Sequence, residues 1–102
     1  EPDLVWIDRK EYSAHPMPED VLLLIEVADS TLNYDRGEKA DLYAEAGIVE
    51  YWIVNCVRRC VEVMRNANDG KYREVNVFRG NEMVHPIKFP EIALQPALLF
   101  KE

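Results

Sequence analysis

Residues Val21 to Ala28 read VLLLIEVA, with a single charge at Glu26. An apolar run on consecutive rather than alternate positions suits a strand covered on both faces, so the rest of the chain has to supply a layer on each side of it. Its uncharged part, Val21 to Ile25, falls far short of the ~20 apolar residues that span a bilayer, and no membrane partner is expected. A chain of 102 residues with 48% apolar content can bury one ordinary core, which excludes dominant disorder.

The remaining pattern places elements around that strand. Leu4-Val5-Trp6-Ile7 suits a short strand, and Asp8 to Asp20 reads as a surface loop, because Pro16 and Pro18 force extended geometry on their predecessors. Asp29 to Tyr34 reads as a polar turn. A helix follows, with Asp35 as its cap, Glu38 three residues on in a capping-box arrangement, a body of good helix formers to Ala46, and Gly47 as its stop. Ile48 to Asn55 is strand-like again. Beyond it, Val61, Val63, Tyr72, Val75, Val77 and Phe78 alternate with polar residues, and Arg58-Arg59, Asn68-Asp69-Gly70 and Gly80-Asn81 read as hairpin turns. Pro96 to Phe100 suits a short final helix. The expected fold is therefore α/β (α+β): a mixed sheet with a crossover helix and an antiparallel meander, in one domain over residues 1–102.

Net charge narrows the function. Twelve basic against 19 acidic residues give −7, which argues against gripping nucleic acid by charge alone but not against a nuclease, whose metal-binding carboxylates add negative charge. Cys56 and Cys60 are too few for a disulfide scaffold, and a reducing, cytoplasmic setting is expected. No Gly-rich phosphate loop fits the four glycines, and neither His15 nor His85 has a nucleophile arrangement around it. Trp6 and Trp52 read as core.

Glu26 needs an explanation, because a carboxylate inside a covered strand costs several kcal/mol unless paired or bound to a cation. Two readings fit it: a site residue on the face of Leu22, Leu24 and Ala28, or a half-exposed residue past a strand that ends near Ile25. Asp3 alone is a turn residue. If the first two strands pair, Asp3 and Glu26 share one sheet edge and offer hard oxygens to one divalent ion. Lys39 sits in the first turn of the helix, where the macrodipole disfavours a cation. It is either a solvated lysine paired with Asp35 or Glu38, or a group that polarises a phosphate. Tyr43, four residues on, shares its face and reads first as core packing. Arg36 is a surface charge first and a phosphate contact second.

Three stretches carry a resemblance: Pro2-Asp3-Leu4-Val5; Leu24-Ile25-Glu26-Val27-Ala28-Asp29-Ser30-Thr31; and YDRGEKADLYAEAGIVEYWIVN from Tyr34 to Asn55, which is the most specific. They resemble the Uma-type putative restriction endonuclease family, of the PD-(D/E)xK nuclease class, over essentially the whole chain to Phe89-Pro90-Glu91-Ile92. The resemblance implies a restriction-endonuclease-like fold with Asp3 and Glu26 as the acidic pair. Ala28 stands where the standard motif has lysine, and the resemblance moves that role to Lys39. Family members are usually longer before the PD element, so the chain is expected to lack an N-terminal part of the domain.

The expected function is hydrolysis of phosphodiester bonds in nucleic acid, DNA before RNA. Mg²⁺ or Mn²⁺ would be held by Asp3, Glu26 and the backbone carbonyl of Val27. Lys39 would act on the phosphate or the attacking water, and Arg36 and Tyr43 would assist. A homo-oligomer is expected. The alternative is a catalytically inactive interaction or structural domain that retains the nuclease fold.

Overall fold

The computed structural model describes residues 4–7 and 20–100. Five strands form one sheet in the order β1 (Leu4–Ile7), β2 (Val21–Ala28), β3 (Glu50–Asn55), β4 (Cys60–Asn68) and β5 (Lys71–Arg79). β2 and β3 run parallel, and every other neighbouring pair is antiparallel. Parallel neighbours need a crossover, supplied by α1 (Leu32–Arg36) and α2 (Glu38–Glu45). A last short helix, α3 (Pro96–Leu99), follows the sheet.

Sheet register sorts the residues by face. Cross-strand rows on the helix side are Leu24–Tyr51–Met64–Val75, Glu26–Ile53–Glu62–Val77 and Ala28–Asn55–Cys60–Arg79. Leu24, Tyr51, Ile53 and Met64 pack there against Ala40, Ile48 and Tyr43. On the opposite face Leu23, Trp52, Val61 and Val63 pack with Val84 and Leu94, which are themselves joined by an isolated antiparallel bridge. The expectation that the VLLLIEVA strand is covered on both sides holds: Leu23 and Leu24 point opposite ways and both are buried.

Several local expectations are met. Gly47 ends α2 with φ +89°, and the next N–H, that of Ile48, returns to the Tyr43 carbonyl at 3.0 Å. Asp69 and Gly70 both have positive φ, as a two-residue turn joining β4 and β5 requires. Trp52 is core, whereas the side chain of Trp6 lies outside the described residues. The Asp8 to Asp20 loop falls, except for Asp20, outside them as well.

Others need correction. Asp35 does not cap the helix: it lies within α1, 2% exposed, and α2 starts after Gly37 with no side-chain cap. The supposed polar turn to Tyr34 already contains the first helical residues, because Leu32 packs on the core and draws Asn33 and Tyr34 into a short helix. β3 begins at Glu50, with Ile48 buried before it. Gly80-Asn81 is no sheet hairpin: after it the chain leaves the sheet for the Val84–Leu94 bridge. Among the described residues, no helix is long and apolar enough to cross a membrane.

Candidate active site

Glu26 is 3% exposed, so the alternative of a strand ending near Ile25 fails: β2 continues to Ala28. The burial is compensated. The Lys39 ammonium lies 2.9 Å from Glu26 Oε2, and the Tyr43 hydroxyl donates to the same oxygen at 2.8 Å. Lys39 and Tyr43 are four apart on α2, so one helix face presents both groups to the strand below. Tyr43 is also braced by packing, edge to face against Tyr51 with ring centroids 5.0 Å apart.

Asp35 joins this centre, not as the cap the sequence suggested but as the partner of Lys39 that it also offered. Its Oδ1 lies 3.5 Å from the Lys39 ammonium, its Oδ2 accepts the Thr31 hydroxyl at 2.9 Å, and its backbone carbonyl accepts the buried Tyr51 hydroxyl at 3.1 Å. Two buried carboxylates thus share one ammonium. They offset the unfavourable placement of a cation at a helix start. The Lys39 ammonium also lies 5.5 Å from the Tyr34 ring centroid. The hydrogen bond to Glu26 holds Lys39 above the ordinary lysine range against the opposing effect of burial, and the charges of Glu26 and Asp35 add to it. Burial, and then the Glu26 bond, push the Tyr43 phenol well above its ordinary value. At neutral pH the centre therefore holds a charged ammonium and a phenol that donates.

Two strand spacings away, about 10 Å along the same row, lies Glu62. Arg36 grips it with Nε at 2.8 Å and Nη2 at 2.6 Å, and the Asn55 side-chain amide donates at 2.9 Å. Arg36 thus commits one edge of its guanidinium to Glu62, while its side chain stays 45% exposed. Burial alone would raise Glu62, but these bonds and the positive charge of Arg36 and Arg79 outweigh it and hold the carboxyl below the usual range. Glu62 was missed in the sequence because it sits between valines in an alternating strand, where an outward polar position is the ordinary inference.

Of the remaining candidates, the Val27 side chain is half exposed and lies on the face away from the helices, so only its main chain is relevant to the centre. His85 pins a loop, with Nδ1 3.0 Å from both the Pro90 and Ile92 carbonyls. Cys56 and Cys60 are free thiols. Asp3 lies outside the described residues. Among the described residues no three His, Cys, Asp or Glu side chains gather as metal ligands.

This sheet, with its crossover helices, has a counterpart among solved structures. A solved structure of a putative nuclease belonging to DUF820 from Anabaena variabilis superposes with a TM-score of 0.60 at 20% identity, covering 78% of this chain. The shared architecture is an α+β, nuclease-like fold. The chain matches the Uma2 model, described as putative restriction endonuclease, over residues 1–97, and it belongs to that family. It spans 44% of the length of the Anabaena chain. No curated protein matches it significantly.

Proposed function

We propose that the Glu26–Lys39 centre is the hydrolytic site of a metal-dependent endonuclease domain acting on nucleic acid, DNA before RNA. The observation that carries this reading is the 2.9 Å contact between the Lys39 ammonium and a carboxylate buried in a central strand. A pair kept there at the cost of desolvating both charges is better explained by chemistry than by stability.

The donor set is oxygen only, which suits a hard cation. Asp3, Glu26 and the Val27 backbone carbonyl would hold Mg²⁺ or Mn²⁺. What supports Asp3 is that its neighbour Leu4 is registered against Ile25, the neighbour of Glu26. When bound, the ion supplies Lewis-acid activation of a water and neutralises charge on the phosphate. Lys39 places its ammonium against a phosphate oxygen or the attacking water, where it stabilises the charge that develops. Tyr43 fixes the Glu26 rotamer by donating to Oε2. Asp35 positions Lys39. The exposed Val75 and Val77 on the edge strand β5 support assembly into a homo-oligomer, and two free thiols suit a cytoplasmic setting.

Calorimetric titration of Mn²⁺, paired with metal-dependent nicking of supercoiled plasmid, tests the reading. Glu26→Ala should lose saturable Mn²⁺ binding. Lys39→Ala should keep it while nicking falls by at least about 10²-fold. Nicking that survives either substitution overturns the role given to that residue. One observation favours a second reading, a non-catalytic interaction domain: Lys39 and Tyr43 both engage the same Glu26 oxygen and form a self-satisfied cluster. Wild-type protein that binds no Mn²⁺ would move that reading ahead.

A further inference from the structure

Net charge −7 makes any local gathering of cations informative, and one lies beside the candidate centre. Arg79 ends β5 opposite Cys60, on the helix-side face and one row beyond Glu62. Arg36 reaches the adjacent row from α1 through its two bonds to Glu62. Arg58 lies in the exposed turn between β3 and β4. The Cys60 thiol between them senses all three: burial and the Glu62 charge push it up, while Arg79, Arg36 and Arg58 each pull it down.

A buried network links the main chain at Arg58 to the carboxylate that holds Arg36. Asn55, fully buried, accepts the backbone N–H groups of Val57 and Arg58 at Oδ1, at 3.1 and 3.0 Å. Its amide nitrogen donates to Glu62, the carboxylate that grips Arg36. One side chain thus ties the turn that carries Arg58 to the post that holds Arg36. The nearby acidic group Glu82 has a task of its own, accepting the Arg79 backbone N–H at 2.6 Å.

We infer that Arg36, Arg58 and Arg79 form a phosphate-binding track that takes the nucleic-acid backbone alongside the Glu26–Lys39 centre, with Asn55 and Glu62 as its positioning residues. The substrate class rests on the function proposed above. Guanidinium groups gathered on one side of the Glu26–Lys39 centre suit a polymer of regularly spaced phosphates better than a flexible acidic peptide. The track contacts backbone and reads no sequence.

Binding of a short fluorescein-labelled DNA duplex, followed by anisotropy in EDTA over a range of sodium chloride, tests the track apart from the chemistry. Arg58→Gln with Arg79→Gln should weaken binding at low salt by at least about ten-fold and flatten the plot of log K against log salt by about two, one for each arginine. Both side chains are exposed, so the thermal melt should move only slightly, through the charge Arg79 lends Glu62. The track is overturned by an unchanged slope and affinity in the double variant, by absence of wild-type binding, or by polyglutamate competing as well as duplex. Because no metal is present, loss of the nuclease reading in the nicking assay leaves this result standing. Conversely, a failed track leaves the Glu26 result standing.

Discussion

Glu26 and Glu50 are both buried carboxylates paired with a cation, on opposite faces of the sheet, yet they are solvated by the protein in different ways. Glu50 is saturated on both oxygens. Oε2 accepts the Trp52 indole at 2.7 Å and Arg65 Nε at 2.9 Å, and Oε1 accepts the Ile87 backbone N–H at 2.8 Å. It is fully buried, and its donors come from its own strand, from the next one and from the loop beyond the sheet. Among the described residues, Glu26 takes two bonds on one oxygen, from a lysine with 18% of its side chain exposed and a tyrosine, both on the same helix. A carboxylate surrounded by fixed donors fastens the fold. One whose main partner is a long, solvent-reaching ammonium can exchange that partner.

The largest effect should come at the fastener. Glu50→Gln turns an amide NH₂ towards groups that are all donors, so one of them loses its acceptor. A loss of about 3 kcal/mol or more in denaturant unfolding is expected. Glu26→Gln should cost about 1 kcal/mol, because its carbonyl can still accept from Tyr43 and Lys39, while Mn²⁺ binding disappears. If the two substitutions cost the same, the distinction between the carboxylates collapses.

Glu62 lies between these extremes and titrates. Its carboxyl is depressed in the folded protein, so its contribution is present above the ordinary carboxylate pKa and is lost as pH falls through its lower folded value. Wild type should lose stability relative to Glu62→Gln over that acid window. At neutral pH the variant should be less stable by about 2 kcal/mol, short of a fully buried pair because Arg36 is half exposed and can rehydrate. A constant difference across the window would show that Arg36 does not stabilise the charged form. An effect as small as that of Glu26→Gln on stability is expected for Tyr43→Phe. It removes one hydrogen bond, about 1 kcal/mol, and should slow nicking more than it weakens Mn²⁺ binding.

The main architecture was legible because it is written in local patterns. VLLLIEVA announces a covered strand, Gly47 ends a helix, and Asp69-Gly70 supplies the positive φ a tight turn needs. Glu26, Lys39 and Tyr43 could be grouped because a strand period and a helix period project them from consecutive elements. Asp35 was misread, since a carboxylate three residues before a glutamate looks the same in sequence whether it caps a helix or is buried in the preceding one. Glu50, Glu62 and the arginine cluster were invisible for another reason. Their partners lie on distant elements, and only the register of β3 to β5 brings Asn55 beside Glu62 and Arg79 beside Cys60. Fold class came from periodicity, whereas the charge network came from pairing.

The crossover between β2 and β3 has a consequence for how the protein reaches its native state. Glu26 and Tyr43 are 17 positions apart, and Lys39 lies between them in sequence. The entropy of closing a loop grows only as about (3/2)RT ln n, so these groups meet at little cost even in a loose chain. The Glu26–Lys39–Tyr43 cluster can therefore assemble as soon as one strand and one helix dock, ahead of the slower long-range pairing that completes the sheet. A centre encoded in so short a span can also be carried intact while the surrounding strands change sequence, lengthen or acquire new neighbours.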